Sequence, residues 1–282
     1  GAGKSTLIRC LTTLQKLDAG RLEVGGADVG AAPAAARSQF GYAGQESALD
    51  KLLTGAEMLR FQAGLVHLRR AEAAPRIAEM LQRFDLADAA GRAVETYSGG
   101  MKRRLDLACA LLHRPRVLIL DEPSTGLDYE ARRRLWALLA DLKRDGVAIL
   151  LATHDFEEAD TLADRCIFLA HGAVAGAGSP QELRDRLGEW LLAAALHEPG
   201  QAGDRERLAR LFSALAGTPQ PPLPGSGEYA KAVPPAGAGQ PWMNVLKDAA
   251  GRSNLAFAAL GQRKPTLQDA YLAATSSQAS AA

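Results

Sequence analysis

Three stretches of this 282-residue chain carry residue types that can do phosphate chemistry. The first, "GAGKST", ends as the phosphate-binding pattern G-x-x-x-x-G-K-[ST] ends, with Gly3, Lys4 and Ser5 in its last places and its first Gly falling ahead of residue 1. Gly1 and Gly3 let backbone N–H groups close around phosphate oxygens, Lys4 reaches the outer phosphates, and Ser5 offers a hydroxyl to Mg²⁺. The same letters describe a Gly-containing N-terminus that caps a helix. In the second stretch, "RVLILDEPSTGLD", Asp121 closes an apolar run and Glu122 follows, which places two carboxylates at the carboxyl end of a buried strand. Asp121 can hold Mg²⁺ through water, and Glu122 can polarise an attacking water; the bland alternative is a strand end followed by a turn. The third, "TYSGGMKRRLDLA", puts the Ser98 hydroxyl and the bare amides of Gly99 and Gly100 at a helix start, suited to a phosphate and equally to an ordinary N-cap.

The elements that must position these residues alternate along the chain. Leu7, Ile8, Leu11 and Leu14 recur at helical spacing after Lys4, "RLEVGG" and "QFGYAGQ" read as short strands, and residues 54–86 read as helices broken at Pro75. "VLILDEP" suits a strand buried on both faces. Helix-like "EARRRLWALLADLKRDG", apolar "VAILLATHD", helix-like "FEEADTLAD" and apolar "RCIFLA" continue the series, so the expected class is α/β with a parallel sheet. Composition shifts after about residue 188, and residues 217–241 hold half of the chain's 14 prolines, where disorder is expected.

Composition narrows the function classes. A 47% hydrophobic content supports a real core, and a formal net charge of +1 supplies no basic field for nucleic acid. Cys10, Cys109 and Cys166 match neither a disulfide framework nor a metal spacing, which fits a reducing cytoplasm. The longest apolar run is interrupted at residues 113–116, so neither a membrane span nor a signal peptide is read. His67, His113, His171 and His197 have no ligand spacing, and Arg103, Arg104 and the arginines of residues 131–134 read as solvated helix faces. Trp136 and Cys109 read as core.

Taken in order, Gly3-Lys4-Ser5-Thr6, Gln45 in "GYAGQE", "YSGGM", "VLILDEP", "STGLD" and Thr153-His154 resemble the ATP-binding subunits of ABC transporters over residues 1–188. The signature differs from the more usual Leu-Ser-Gly-Gly-Gln at Tyr97 and Met101. With the closing "KPTLQDAYLAAT", this is similar to the drug-exporter branch of daunorubicin-resistance type.

The resemblance implies a P-loop NTPase with a mostly parallel sheet and a helical subdomain at about 54–113, within an ATPase domain of residues 1–188. A small α+β accessory domain at 189–275 and a tail at 276–282 would follow. Nucleotide would be held by Gly1, Ala2, Gly3, Lys4, Ser5 and Thr6, and Mg²⁺ by Ser5, Asp121 and Gln45. Glu122, His154 and Gln45 would be catalytic, with His154 at the γ-phosphate. Tyr97, Ser98, Gly99, Gly100 and Met101 would act across a head-to-tail homodimer, whose interface Asp128 would cross. The partner would be an ABC-2 type permease, received near the helix bearing Leu59, Ala63 and Val66, some of which read as core, with the protein on the inner face of the plasma membrane and no nucleic acid bound. In that family a strand and an aromatic residue precede the phosphate loop, so an N-terminally shortened chain with weak nucleotide binding is expected. Two alternatives stay open: a non-transport ABC ATPase acting on ribosomes or DNA, and a shortened noncatalytic fragment. The sequence carries neither the second ATPase half nor the long coiled coil of the former.

Overall fold

The computed structural model describes residues 1–196, 207, 210, 218–220, 230–233, 244, 247, 248, 251, 252 and 257–279. Its contacts form two units, Gly1 with Gly3–Glu158 and Ala2 with Ala159–Ala282.

In the first unit, Gly3 takes a left-handed φ of 98° and helix α1 (Lys4–Leu11) starts directly after it. Only Ile8 and Cys10 of α1 are buried; Leu7 is exposed, and Leu14, expected on the same stripe, lies beyond the helix end and is also exposed. A hairpin of β1 (Glu23–Val24) and β2 (Ala27–Asp28) turns at Gly25-Gly26, and α2 (Pro33–Gln39) leads into β3 (Phe40–Ala43). Ile8, Val24, Val29, Ala36, Phe40 and Ile119 close one core over these pieces.

The central sheet is parallel, in the order β3, β4 (Val117–Asp121), β5 (Ala148–Ala152). The apolar run of β4 is its middle strand, with Leu118, Ile119 and Leu120 fully buried, as a strand covered on both faces requires. The helical subdomain consists of α3 (Gly55–Leu65), α4 (Arg70–Arg83) and α5 (Gly99–Leu111). A capping box between Thr54 and Glu57 starts α3. Gly41 lets α5 approach β3: a Cβ there would stand 2.0 Å from the Ala110 carbonyl oxygen. Helix α6 (Tyr129–Arg144) then joins β4 to β5, burying Leu135, Trp136, Leu139 and Leu142.

Pro75 does not break the helices. It sits inside α4, and the interruption falls at residues 66–69, where α3 is closed by His67 with φ 55°. Proline removes one main-chain donor near the start of a helix, whereas a left-handed residue after the C-cap reverses the chain.

Helix α7 (Phe156–Leu162) straddles the division between the units. In the second unit, β6 (Cys166–Ala170), expected to extend the alternation, pairs instead antiparallel with β7 (Ala173–Gly178). His171 and Gly172 both take positive φ, 49° and 78°, which makes a tight hairpin turn. After α8 (Pro180–Asp185) comes an antiparallel sheet in the order β11 (Phe257–Arg263), β8 (Leu191–Leu196), β10 (Ala230–Val233), β9 (Thr218–Gln220). Helix α9 (Leu267–Ala279) packs on β6, β7 and α8. Phe168 meets Tyr271 edge-on at 5.4 Å. These long-range contacts draw residues 159–188 into the second unit, ahead of the 188/189 boundary expected from composition. Within 217–241, residues 218–220 and 230–233 form strands where disorder is expected, and the rest of that stretch, like His197, lies outside the described residues.

Candidate active site

Parallel pairing decides which loops meet. Ala43 lies beside Leu120 and Asp121 beside Ala152, so the carboxyl ends of β3, β4 and β5 share one edge of the sheet. Gln45, Glu122 and His154 each sit one or two residues past those ends. Residues more than 100 positions apart in sequence thus converge because their strands stop in register.

At this edge Glu122 Oε1 lies 3.0 Å from His154 Nδ1, and Oε2 accepts from the Thr125 hydroxyl at 3.2 Å. The Glu122 backbone is left-handed, φ 48°. Of the other non-glycine residues with positive φ among those described, Thr13, His67, Asp85 and Arg114 follow helix ends and His171 makes a hairpin turn. Glu122 has neither setting, so its strain is held by the surrounding bonds, including its own N–H to the Ala152 carbonyl at 2.8 Å.

Asp121 is buried at the end of β4, with the Ser5 side chain near enough to favour its charged form. Burial, helped by the neighbouring Glu122 charge, raises its pKa above the ordinary carboxylate value, opposed by the Ser5 side chain and by the charges of Lys4 and Arg103. The Ser5–Asp121 pair suits a hard cation, with oxygen donors only. Among the described residues no group of three or more His, Cys, Asp or Glu could hold a metal. Lys4 is half-buried, Ser5, Thr6 and Gln45 are exposed, and Gly3 presents the α1 N-terminus. Ala2 groups with the second unit, its carbonyl accepting from Gly172 N–H.

The signature residues form a second cluster in the first unit. Ser98 caps α5, its Oγ accepting from Met101 N–H at 3.2 Å, so the cap is real and the hydroxyl stays exposed. Gly99 and Gly100 lie against Leu127 and Ala131, which brings them beside Asp128, the N-cap of α6. Tyr97 does not join this surface. It is buried, its hydroxyl donating to the Ala89 carbonyl at 2.7 Å, and it supports the turn from below.

Arg103, Arg104 and Arg132 differ from the sequence reading, whereas Arg133 and Arg134 are exposed as expected. Arg103 is 7% exposed: its Nε donates to the Pro123 carbonyl at 3.0 Å, and Nη1 to the Gly44 carbonyl at 2.6 Å and to Asp106 at 3.0 Å. Burial pushes the Asp106 carboxyl up to about 6, with Arg103 opposing. Arg104 bonds the Phe84 and Asp85 carbonyls and the Asp85 carboxylate. Arg132 reaches Asp155 and Glu157 and stacks on Trp136 at 5.0 Å. A further buried group is Glu158, which accepts from Ser124 and, at 3.1 Å, from Trp136 Nε1, tying the loop after Glu122 to the helix after His154. The signal for Arg103 and Asp106 was their i, i+3 spacing at the head of a run that, Arg104 apart, is otherwise made of Leu, Ala and Cys. Trp136 and Cys109 are core as expected, and burial raises the Cys109 thiol to about 12.

On the helix expected to receive the permease, Leu59 and Ala63 are buried core, as expected of some of its apolar residues, and Val66 is the half-buried C-cap of α3. Leu52, Phe61 and Leu65 are the exposed apolar residues of this region.

Residues 1–125 match the family model described as ABC transporter. The chain is 46% identical over 203 residues to the daunorubicin resistance ATP-binding protein DrrA3 of Streptomyces coeruleorubidus, covering 72% of this chain and 64% of that protein. It is 36% identical over 276 residues to DrrA2 of the same organism, covering 98% and 84%. It thus spans just under two thirds of the first relative's length. A solved structure of an ATP binding subunit of an ABC transporter superposes with a TM-score of 0.59 at 32% identity, covering 66% of this chain and 78% of that one.

Proposed function

Because this chain belongs to the ABC transporter family, we propose that it binds ATP with Mg²⁺ and hydrolyses it to power export of a drug, lipid or other hydrophobic compound through a membrane permease. The observation that carries the reading is the Glu122–His154 contact at the carboxyl end of the sheet, next to the buried Asp121 that closes β4. The left-handed Gly3 and the first amides of α1 offer donors to phosphate oxygens, and Lys4 neutralises the outer phosphates. Ser5, Asp121 and Gln45 would hold Mg²⁺, which when bound offsets phosphate charge. Glu122, fixed by His154 and Thr125, accepts the proton of the attacking water, and Gln45 at the same sheet end orients that water.

The exposed pair of Ser98 and Gly99 next to Asp128 supports a homodimer in which each copy's signature closes over the other's ATP. Export is supported by the drug-resistance names of the relatives, and the permease would be of ABC-2 type, with this protein on the inner membrane face. Its docking surface would be Leu52, Phe61 and Leu65.

The test is Mg²⁺-dependent ATP hydrolysis by the purified protein. Glu122→Gln should lower turnover by about 10² or more while calorimetry finds ATP binding intact, since an amide keeps the size of Glu122 and cannot take the proton. Undiminished turnover removes Glu122 from its role. Serine at positions 52, 61 and 65 should abolish co-purification with a co-expressed permease and spare basal hydrolysis; unchanged capture removes that surface.

A further inference from the structure

Resting on the ATPase reading, we infer that Arg103 is a positioning residue that couples the signature helix to Gln45 and Glu122 at once. It projects from the second turn of α5, five residues after Ser98. Its Nη1 holds the carbonyl of Gly44, the residue before Gln45, and its Nε holds the carbonyl of Pro123, the residue after Glu122. One planar guanidinium therefore fixes main chain beside two of the three residues at the sheet edge, while its own backbone belongs to the helix that the signature begins. A displacement of α5 moves both loops together, since the fork of donors is rigid and each bond is short.

Stability alone is a poor reason for this arrangement. The ion pair with Asp106 is almost wholly buried, and Arg103 Nη2 is buried with no hydrogen-bond partner among the described residues. A buried pair costs desolvation that its attraction barely repays, an unsatisfied donor adds to that cost, and apolar side chains of similar volume often serve the fold as well. Two apolar residues here could not reach the Gly44 and Pro123 carbonyls. The second anchor of the same loop, Ser124 on Glu158, comes from the helix after His154, so the segment behind Glu122 is gripped from α5 on one side and α7 on the other.

The experiment compares R103K, D106N and the charge-free pair R103L/D106L with the parent protein. Lysine keeps the charge beside Asp106 and loses the fork, so R103K should lower kcat about ten-fold or more with KM for ATP within about two-fold and ATP-binding stoichiometry unchanged. D106N, which leaves both carbonyl bonds in place, should stay within about three-fold of the parent. In a Gln45→Ala background the R103K loss should shrink by about two-fold or more, because the part carried through Gly44 is already gone while the part carried through Pro123 remains. R103L/D106L, which buries no lone charge, must show the kcat loss even if R103K does not fold. The inference is overturned if that pair keeps the parent kcat, if D106N loses as much as R103K, if R103K loses turnover and bound nucleotide in the same proportion, or if the R103K and Q45A losses simply multiply. Amide exchange without nucleotide separates this from the ATPase reading. R103L/D106L should speed exchange in residues 44–46 and 122–125 about ten-fold with the β4 core unchanged, whether or not the protein hydrolyses ATP; unaltered exchange there overturns the coupling.

Discussion

Buried charge is handled differently in the two units. In the second, Asp269 is 1% exposed and completely answered: Arg263 grips both carboxylate oxygens at 2.6 and 3.1 Å, and Thr266 adds its N–H at 2.9 Å and its hydroxyl at 2.8 Å. None of the residues from 263 to 269 takes a positive φ, and the group stands at the start of α9. In the first unit, Arg103 keeps an orphan Nη2, Asp106 is raised by burial, and Glu122 holds a left-handed backbone without glycine's freedom. Full satisfaction marks a charge that serves the fold; strain and incomplete satisfaction, gathered at one sheet edge, mark charges kept for what they position.

The contrast can be broken at three points. Asp269→Ala should cost about 3 kcal/mol in chemical denaturation, since it strips a buried partner and a helix cap together, and should leave the kcat of the folded protein unchanged. A cost below about 1 kcal/mol would dissolve the distinction from that side.

Asp106 gives a smaller, pH-dependent effect. Its folded pKa of about 6 lies above the ordinary 3.8, so between those values the folded chain binds the proton more tightly than the unfolded one. Stability is therefore lost as pH rises through that window, with Arg103 limiting the loss and Cys109 close enough to feel the new charge. The stability difference between Asp106→Asn, neutral throughout, and the parent should move in the variant's favour by up to about 3 kcal/mol from pH 4 to pH 7, on top of a pH-independent cost of leaving the Arg103 charge unpaired, read from paired denaturation curves. A difference that stays flat with pH would mean the carboxylate is ionised at little cost.

The smallest effect concerns strain. Glu122→Gly loses the contacts with His154 and Thr125 yet relaxes a left-handed residue, so stability should be unchanged or higher by up to about 1 kcal/mol while turnover disappears. A clear destabilisation would show that Glu122 belongs to the fold as much as Asp269 does.

Much of the site was legible because its chemistry is local in sequence. Gly3-Lys4-Ser5 before a helix, two carboxylates closing "VLILDEP" and a serine ahead of Gly99-Gly100 each imply their own backbone geometry, and α1, β4 and α5 begin or end where those letters require. Less was legible where a residue's environment comes from distant chain. Arg103 reads as part of a solvated helix face until Gly44 and Pro123 fold over it, Tyr97 reads as a signature residue acting across the dimer until Ala89 accepts its hydroxyl, and only packing decides that Leu59 and Ala63 are core while Leu52, Phe61 and Leu65 are exposed.

By itself, the sequence determined which residues can bind phosphate, carry a proton or cap a helix, since those abilities reside in functional groups and their nearest neighbours along the chain. Only the tertiary structure decided that Gln45, Glu122 and His154 share one edge, because parallel pairing of β3, β4 and β5 aligns strand ends far apart in sequence. It also decided which charges are buried: burial is set by what packs on a side chain from elsewhere, and that desolvation turns the arginine of a helix into an anchor for two loops.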